Sequence, residues 1–182
     1  SASALLPFVP MTPLQVLANN LLYDCSQVPI PGDDVDPELV ARPRPWSLGQ
    51  IARFILLLGP VSSVFDFTTF AFLWHACGGG GPGGAAVFHT GWFIESLATQ
   101  TLVLFIIRTA GNPFQSRPSL ALSISVVAVV LVGMVLPTTA LAAPLGLTPL
   151  PLSYYLFLLI LTCAYLMLVE LVKRRLLGRL AK

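Results

Sequence analysis

Asn20, Asp24 and Gln27 follow one another at intervals of four and three residues, in a segment between Pro13 and Pro31 that is otherwise largely apolar. On a helix these side chains share one face, within about a fifth of a turn. Their amide and carboxylate groups offer hard oxygens, the ligands that magnesium and calcium prefer over nitrogen or sulfur. Asn19 and Tyr23 stand beside them. Pro13 near one end, with Pro29 and Pro31 near the other, predicts an interrupted helix. Carbonyls freed by such an interruption are tolerated at membrane depth only where protein or a water-filled cavity satisfies them. The chemistry this pattern points to is the binding of a cation inside a transporter.

Two further carboxylates fall within apolar segments. Asp66 lies one turn from Ser62 and close to Ser63 and Thr69; Glu95 lies one turn before Thr99, with Ser96 and Gln100 in a neighbouring row. A charge near the bilayer centre costs about 2.5–3.5 kcal/mol on insertion scales. A polar side chain bonded between helices returns only about 0.6 kcal/mol on average. Asp24, Asp66 and Glu95 should therefore face the bundle interior and be paired, be protonated or hold a cation. Hydrogen bonding between helices is the competing role for each, and it weighs most at Asp66. Glu95 with Gln100 is placed to complete an oxygen shell.

Other chemistry finds little support. His75, Cys77 and His89 flank the glycine run 78–84, but their spacing matches no zinc pattern, and surface histidines are expected. The glycine run lacks the strand, helix and Lys-Ser/Thr of a phosphate-binding loop and reads as a linker. Cys25, Cys77 and Cys163 are scattered singly; Cys25 and Cys163 read as small packing residues. There is no Asp-Lys-Thr-Gly-Thr phosphorylation motif, no nucleotide-binding glycine motif and no hydrolytic triad. No catalytic residue, cofactor-binding residue or nucleic-acid partner is expected.

The elements that must position these residues follow from composition. The chain has 182 residues, of which 55% are hydrophobic and 10% charged, so the fold class is all-α integral membrane. We expect a single domain over 1–182: a multi-pass bundle of five full transmembrane helices plus an N-terminal helix stub. The spans are about 12–30, 50–77, 88–109, 120–136 and 153–172, followed by a basic tail over 173–182. Gly59-Pro60 marks a kink in the second span, and Trp46 an interfacial anchor before it. Residues 1–9 lack the basic region of a signal peptide and read as the end of a helix cut by a fragment boundary. All ten Lys and Arg residues fall in or beside the 31–50 loop, the 110–119 loop and the tail. Those zones share one side of the membrane, so the C-terminus is expected to be cytoplasmic in a plasma or inner membrane. The lipid bilayer is the first partner implied. The tail reads as an ordinary positive stop after the last span, with an interfacial helix as the other possibility.

The residues also resemble a family. Pro10-Met11-Thr12-Pro13-Leu14-Gln15, leading into Asn19-Asn20-Leu21-Leu22-Tyr23-Asp24, is similar to the sixth transmembrane helix of bacterial magnesium-transporting P-type ATPases of type IIIB. The similarity continues through Asp36, Arg42-Pro43-Arg44 before Trp46, and Gly59-Pro60-Val61-Ser62-Ser63-Val64-Phe65-Asp66. Gly91-Trp92-Phe93, Thr99-Gln100-Thr101-Leu102 and Ile107-Arg108-Thr109 look like the eighth helix; Ser116-Arg117-Pro118 and Leu150-Pro151-Leu152-Ser153-Tyr154 look like the entries to the ninth and tenth. The resemblance implies the end of helix five plus helices six to ten, with Mg2+ as the transported ion. It implies that Asn20 and Asp24 help to bind that ion. Tyr23 stands where calcium pumps carry a threonine ligand, and Gln100 near their helix-eight carboxylate, which argues against a calcium-type site.

The partners it implies are the remaining N-terminal parts of the pump: helices one to five and the actuator, phosphorylation and nucleotide-binding domains. ATP-Mg would act only through those domains. The expected metal-binding set is Asn20 and Asp24, with Tyr23, Gln27, Asp66, Glu95 and Gln100 as further candidates. An orphan membrane module with a structural or partner-binding role, and a proton or calcium pump, are the alternatives.

Overall fold

The computed structural model describes residues 8–34, 48–81, 83–109, 113 and 116–180, without the side chains of 48, 50, 51, 53, 54 and 176–180. Most of the helix stub over 1–9, the 35–47 stretch with Asp36, Arg42, Arg44 and Trp46, and the last two tail residues lie outside the described residues. Among the described residues there are helices and turns and no strand.

Helix α1 spans Pro13–Gln27. Thr12 starts it through a reciprocal cap: the Gln15 amide donates to Thr12 Oγ1 (3.3 Å) and the Thr12 amide to Gln15 Oε1 (2.8 Å). Pro13 occupies the first helical position, where its missing N–H is not needed. The helix stops before Pro29, and Ile30–Gly32 forms a 3-10 turn. The prolines thus bound α1 rather than interrupt it, which corrects the expected span of 12–30. At 15 residues α1 is about 22 Å long, short of the ~30 Å hydrocarbon core.

Four helices, not the expected five, are long and apolar enough to cross a membrane among the described residues: Ile55–Ala76, Gly84–Ile107, Leu120–Thr138 and Leu152–Arg175. Helix α2 is Leu48–Ala76 and continues as helix through Pro60. Helix α3, Gly84–Leu102, begins four residues earlier than expected, because Gly83 takes a left-handed conformation (φ 79°) that turns the chain into it. Val103 alone separates it from the short α4, Leu104–Ile107. Helix α5 is Leu120–Val135, capped by Ser119 Oγ, which accepts from the Leu122 amide. The connection expected as a plain loop contains a 3-10 turn, Leu136–Thr138, and a single helical turn, α6, Ala142–Leu145.

Helix α7, Leu152–Leu180, extends well past the expected 172. Glu170 explains the extension. It pairs with Lys173 (2.6 Å) and Arg174 (2.6 Å), one turn on along the same helix face. Lys173 Nζ also donates to the Ile106 carbonyl (2.9 Å) at the end of α4, fastening what reads as tail to the bundle.

Helix α3 is the hub, packing against α1, α2, α5 and α7. Between membrane helices close fit does what hydrophobic burial does in water. At Gly91 of α3 a Cβ would overlap the δ-carbons of Leu73 on α2, so glycine sets the closest approach of the two helices. The Gly91 carbonyl accepts from Tyr154 Oη of α7 (2.5 Å), bringing a third helix to the same point. Leu73, Phe88, Phe93, Ile94, Leu97 and Tyr154 are the most buried members of this core. Cys25 and Cys163, expected as packing residues, are exposed instead.

Candidate functional site

The polar residues of α1 divide between two stripes. Gln15, Asn19 and Ser26 are buried; at 100° per residue they lie within about 40° of one another. Gln15 Nε2 donates to the Leu145 carbonyl (2.8 Å), and Asn19 Nδ2 to the Phe93 carbonyl (3.1 Å) of α3. Asn19 Oδ1 accepts from Gln100 Nε2 of α3. Ser125 Oγ of α5 donates to the Cys25 carbonyl (3.1 Å). These bonds fasten α1 to the bundle. The second stripe, Asn20, Asp24 and Gln27, lies roughly 130° around the helix.

Between α1, α2 and α3 lies a cleft of about 490 Å³. Its polar lining comes from all three helices: Asn19 and Asn20, Ser63 and Asp66, Ser96 and Gln100. On α3 the residues Trp92, Ser96 and Gln100 recur every four positions, so one stripe of that helix faces the cleft. Asp66 is the one charged residue of the lining. Its Oδ1 accepts from Trp92 Nε1 (3.3 Å), which orients the carboxylate. Val9, Pro10 and Met11 line the end of the cleft where α1 begins.

Of the residues singled out by sequence, the structure brings Asn20, Asp66 and Gln100 into this cleft. Asp24, one turn beyond Asn20, is exposed and lies outside the lining, as does the half-buried Gln27. Tyr23 is half-buried and packs against the main core. Glu95 lies behind the cleft wall with 1% of its surface exposed. Its Oε2 has no hydrogen-bond partner among the described residues, and its carboxyl group lies against that of Asp66. His89 Nε2 contacts the Val9 carbonyl (2.7 Å), while His75 is exposed. Among the described residues no three His, Cys, Asp or Glu side chains group as a metal cluster. Oxygen ligation here would draw on amides, hydroxyls and one carboxylate.

Sequence reasoning placed Asn19 beside the site but missed that it anchors α1 to α3. The signal was available: Gln15 and Asn19 are four residues apart, the spacing of a second polar stripe. Trp92 as the donor to Asp66 carried no such signal, since it depends on how α2 and α3 pack.

Residues 8–175 match the family model described as cation transporting ATPase, C-terminus. The chain belongs to this family. It is 45% identical over 173 residues to magnesium-transporting ATPase, P-type 1, of Escherichia coli strain K12, a match covering 94% of this chain and 19% of that protein. A protein of the same description from Salmonella typhimurium strain LT2 is 41% identical over 174 residues, covering 95% of this chain and 19% of the relative. The chain thus spans about a fifth of the length of the curated relatives it matches. The helical, multi-pass architecture fits a membrane region of such an ATPase. So does the second α1 stripe: an acid at Asp24 beside the exposed Leu17, Leu21 and Val28 is a costly surface for lipid to cover.

Proposed function

We propose that this chain is the membrane-embedded ion-pathway portion of a P-type ATPase that imports Mg2+. The observation that carries the reading is the match over nearly the whole chain, at 45% identity, to a magnesium-transporting ATPase. ATP hydrolysis is supplied by the phosphorylation, nucleotide-binding and actuator domains of a longer protein, whose helices one to five cover the exposed stripe of α1. Mg2+ is the cargo, taken from the side where α1 begins and released toward the basic, cytoplasmic side. Asn20 and Asp24 serve the ion from that stripe, and Asp66 and Gln100 from the facing cleft. Tyr23, Gln27 and Glu95 are further from the path: Tyr23 and Glu95 pack inward, and Gln27 lies toward the cytoplasmic end of α1. The protein resides in the plasma or inner membrane with its C-terminus inside.

Two supports come from chemistry. Mg2+ takes oxygen ligands and is often held by only one or two carboxylates, which is the donor set at hand. The concentration of Lys and Arg on one side sets the orientation. The experiment is growth rescue of a bacterium deficient in magnesium uptake by the full-length gene, wild type or Asp24→Asn. The wild type restores growth and uptake; the variant reaches the membrane in equal amount and restores neither. Uptake by Asp24→Asn at the wild-type rate overturns the role of that residue, and failure of the wild type overturns the transport reading.

A further inference from the structure

We propose that His89 is a positioning residue: by holding the Val9 carbonyl it fixes the segment that enters α1 and forms the rim of the cleft at that end. Its part in transport rests on the reading above. Residues 8–12 have no regular structure, and their prolines explain why. Pro10 disfavours helix at Val9. In a helix the Val9 carbonyl would accept from residue 13, but Pro13 has no N–H to give. The carbonyl therefore needs a donor from elsewhere, and in a membrane protein an unmet carbonyl is costly. His89 Nε2 of α3 stands 2.7 Å from it. A carbonyl oxygen only accepts, so Nε2 carries the hydrogen.

The same imidazole also packs. Its ring meets Phe8 edge-on at 5.7 Å, and Phe8 in turn meets Phe88 at 5.4 Å and Trp74 of α2 at 6.5 Å. The segment is thus held at two successive residues, by ring contact at Phe8 and by a hydrogen bond at Val9. What it holds in place is the rim, since Val9, Pro10 and Met11 line that end of the cleft. On α3, His89 precedes Trp92 by three residues, so it extends the stripe of Trp92, Ser96 and Gln100 that faces the cleft. One helix face therefore carries both a wall of the cleft and the latch on its rim. A histidine turned to the surface, which its place beside the glycine run suggests, would leave the rim with ring contacts alone.

The test uses the full-length gene in a strain deficient in magnesium uptake, and the purified full-length protein in detergent. His89→Phe keeps a ring against Phe8 but removes the donor; His89→Gln removes the ring but returns an N–H at similar reach. For His89→Phe the Mg2+ concentration at half-maximal uptake should rise about five-fold, the worth of one hydrogen bond, with the maximal rate unchanged. Amide hydrogen exchange at Val9 and Met11 should quicken by a similar factor. His89→Gln stays near wild type in both measurements. Either change in His89→Phe without the other, a fall in maximal rate alone, or equal effects of the two variants overturns the proposal. If His89→Phe does not accumulate, His89→Ala takes its place; failure of both shows a residue needed for folding and overturns the positioning role. A wild type that takes up Mg2+, with no shift in His89→Phe, sinks this proposal and leaves transport standing. A wild type without Mg2+ uptake sinks both.

Discussion

Asp33 and Arg108 form the ion pair whose removal should be felt most in the fold. Arg108 Nε donates to Asp33 Oδ2 (2.7 Å), and the two side chains are only 7% and 8% exposed. The guanidinium also donates to the Asp34 carbonyl (2.7 Å), the Ser116 carbonyl (3.2 Å) and Ser116 Oγ (3.0 Å). Asp33 Oδ1 accepts the Ser119 amide (2.7 Å), at the start of α5. One knot thus ties the exit of α1, the end of α4 and the entry to α5. Removing one member of a buried pair costs about 3–5 kcal/mol. This knot lies at the end of the helices, where water is near, so the low end applies. We expect Asp33→Ala to cost about 3 kcal/mol and Asp33→Asn about 2 kcal/mol, since Asn keeps an acceptor for the Ser119 amide. A double-mutant cycle with Arg108→Gln should return a coupling of about 1–3 kcal/mol.

Acid gives a second readout of the same knot. Burial alone would raise the Asp33 carboxyl, but the Ser119 amide and the Arg108 guanidinium outweigh it and hold the group below its ordinary value of 3.8. The ionised form is therefore the stabilising one. Its contribution is complete above the ordinary value and is lost as pH falls through the lower folded value. The wild-type protein should lose more stability than Asp33→Asn on acidification from about pH 5 to pH 3. The assay is the thermal unfolding midpoint of the purified full-length protein in detergent. A coupling below about 0.3–0.5 kcal/mol, the scatter of independent sites, together with parallel pH profiles, would refute the reasoning.

Two other substitutions probe how the site is positioned. Gly91→Ala pushes a methyl group into Leu73 and should cost about 1–3 kcal/mol by overpacking; Leu73→Val should restore part of the lost midpoint, and an undiminished midpoint for Gly91→Ala would rule the contact out. Gln15→Leu removes the side-chain half of the cap on α1, leaving the backbone amide bonded to Thr12 Oγ1, and also removes the bond to the Leu145 carbonyl; it should cost about 1–2 kcal/mol, read as earlier unfolding and faster proteolysis at residues 12–27, and equal proteolysis of variant and wild type would show that these side-chain bonds do not hold α1.

The fold class was legible because apolar runs of membrane-spanning length announce themselves by composition. Helices α2, α3, α5 and α7 fall close to where those runs predict. The misjudged element is α1, and the reason is specific. Counting its apolar residues from Thr12 to Ile30 treats Pro13 and Pro29 as interruptions, whereas Pro13 suits the first turn of a helix and Pro29 follows its end. The extension of α7 was hidden for a related reason: Lys173 and Arg174 look like a tail until Glu170, one turn earlier, is seen to pair with both. At the site, spacing revealed which residues share a helix face but not which helix lies opposite. Asp66 meets Trp92 and Glu95 through the close approach of α2 and α3 at Gly91, and nothing in the spacing of one helix encodes the register of its neighbour.

That difference bears on why α1 is both short and polar. A 15-residue helix with two polar stripes would be poorly held by fit alone. Its buried stripe supplies what fit does not, with bonds to α3 from Asn19 and to α6 from Gln15. Each is made where no water competes, so each lost bond leaves a buried polar group unsatisfied. Once α1 is pinned by that stripe, the second is not needed to hold the helix, and Asn20 stands at the cleft. Two of the three cleft walls, α1 and α3, are joined by side-chain hydrogen bonds through Asn19. At the cleft the Trp92–Asp66 bond joins α2 to α3 by side chains, with the Glu95 carboxyl group against that of Asp66, and little of α2 is buried in the bundle. The carboxylate of the cleft thus sits on a spanning helix that is less buried than α3 yet meets it closely at Gly91.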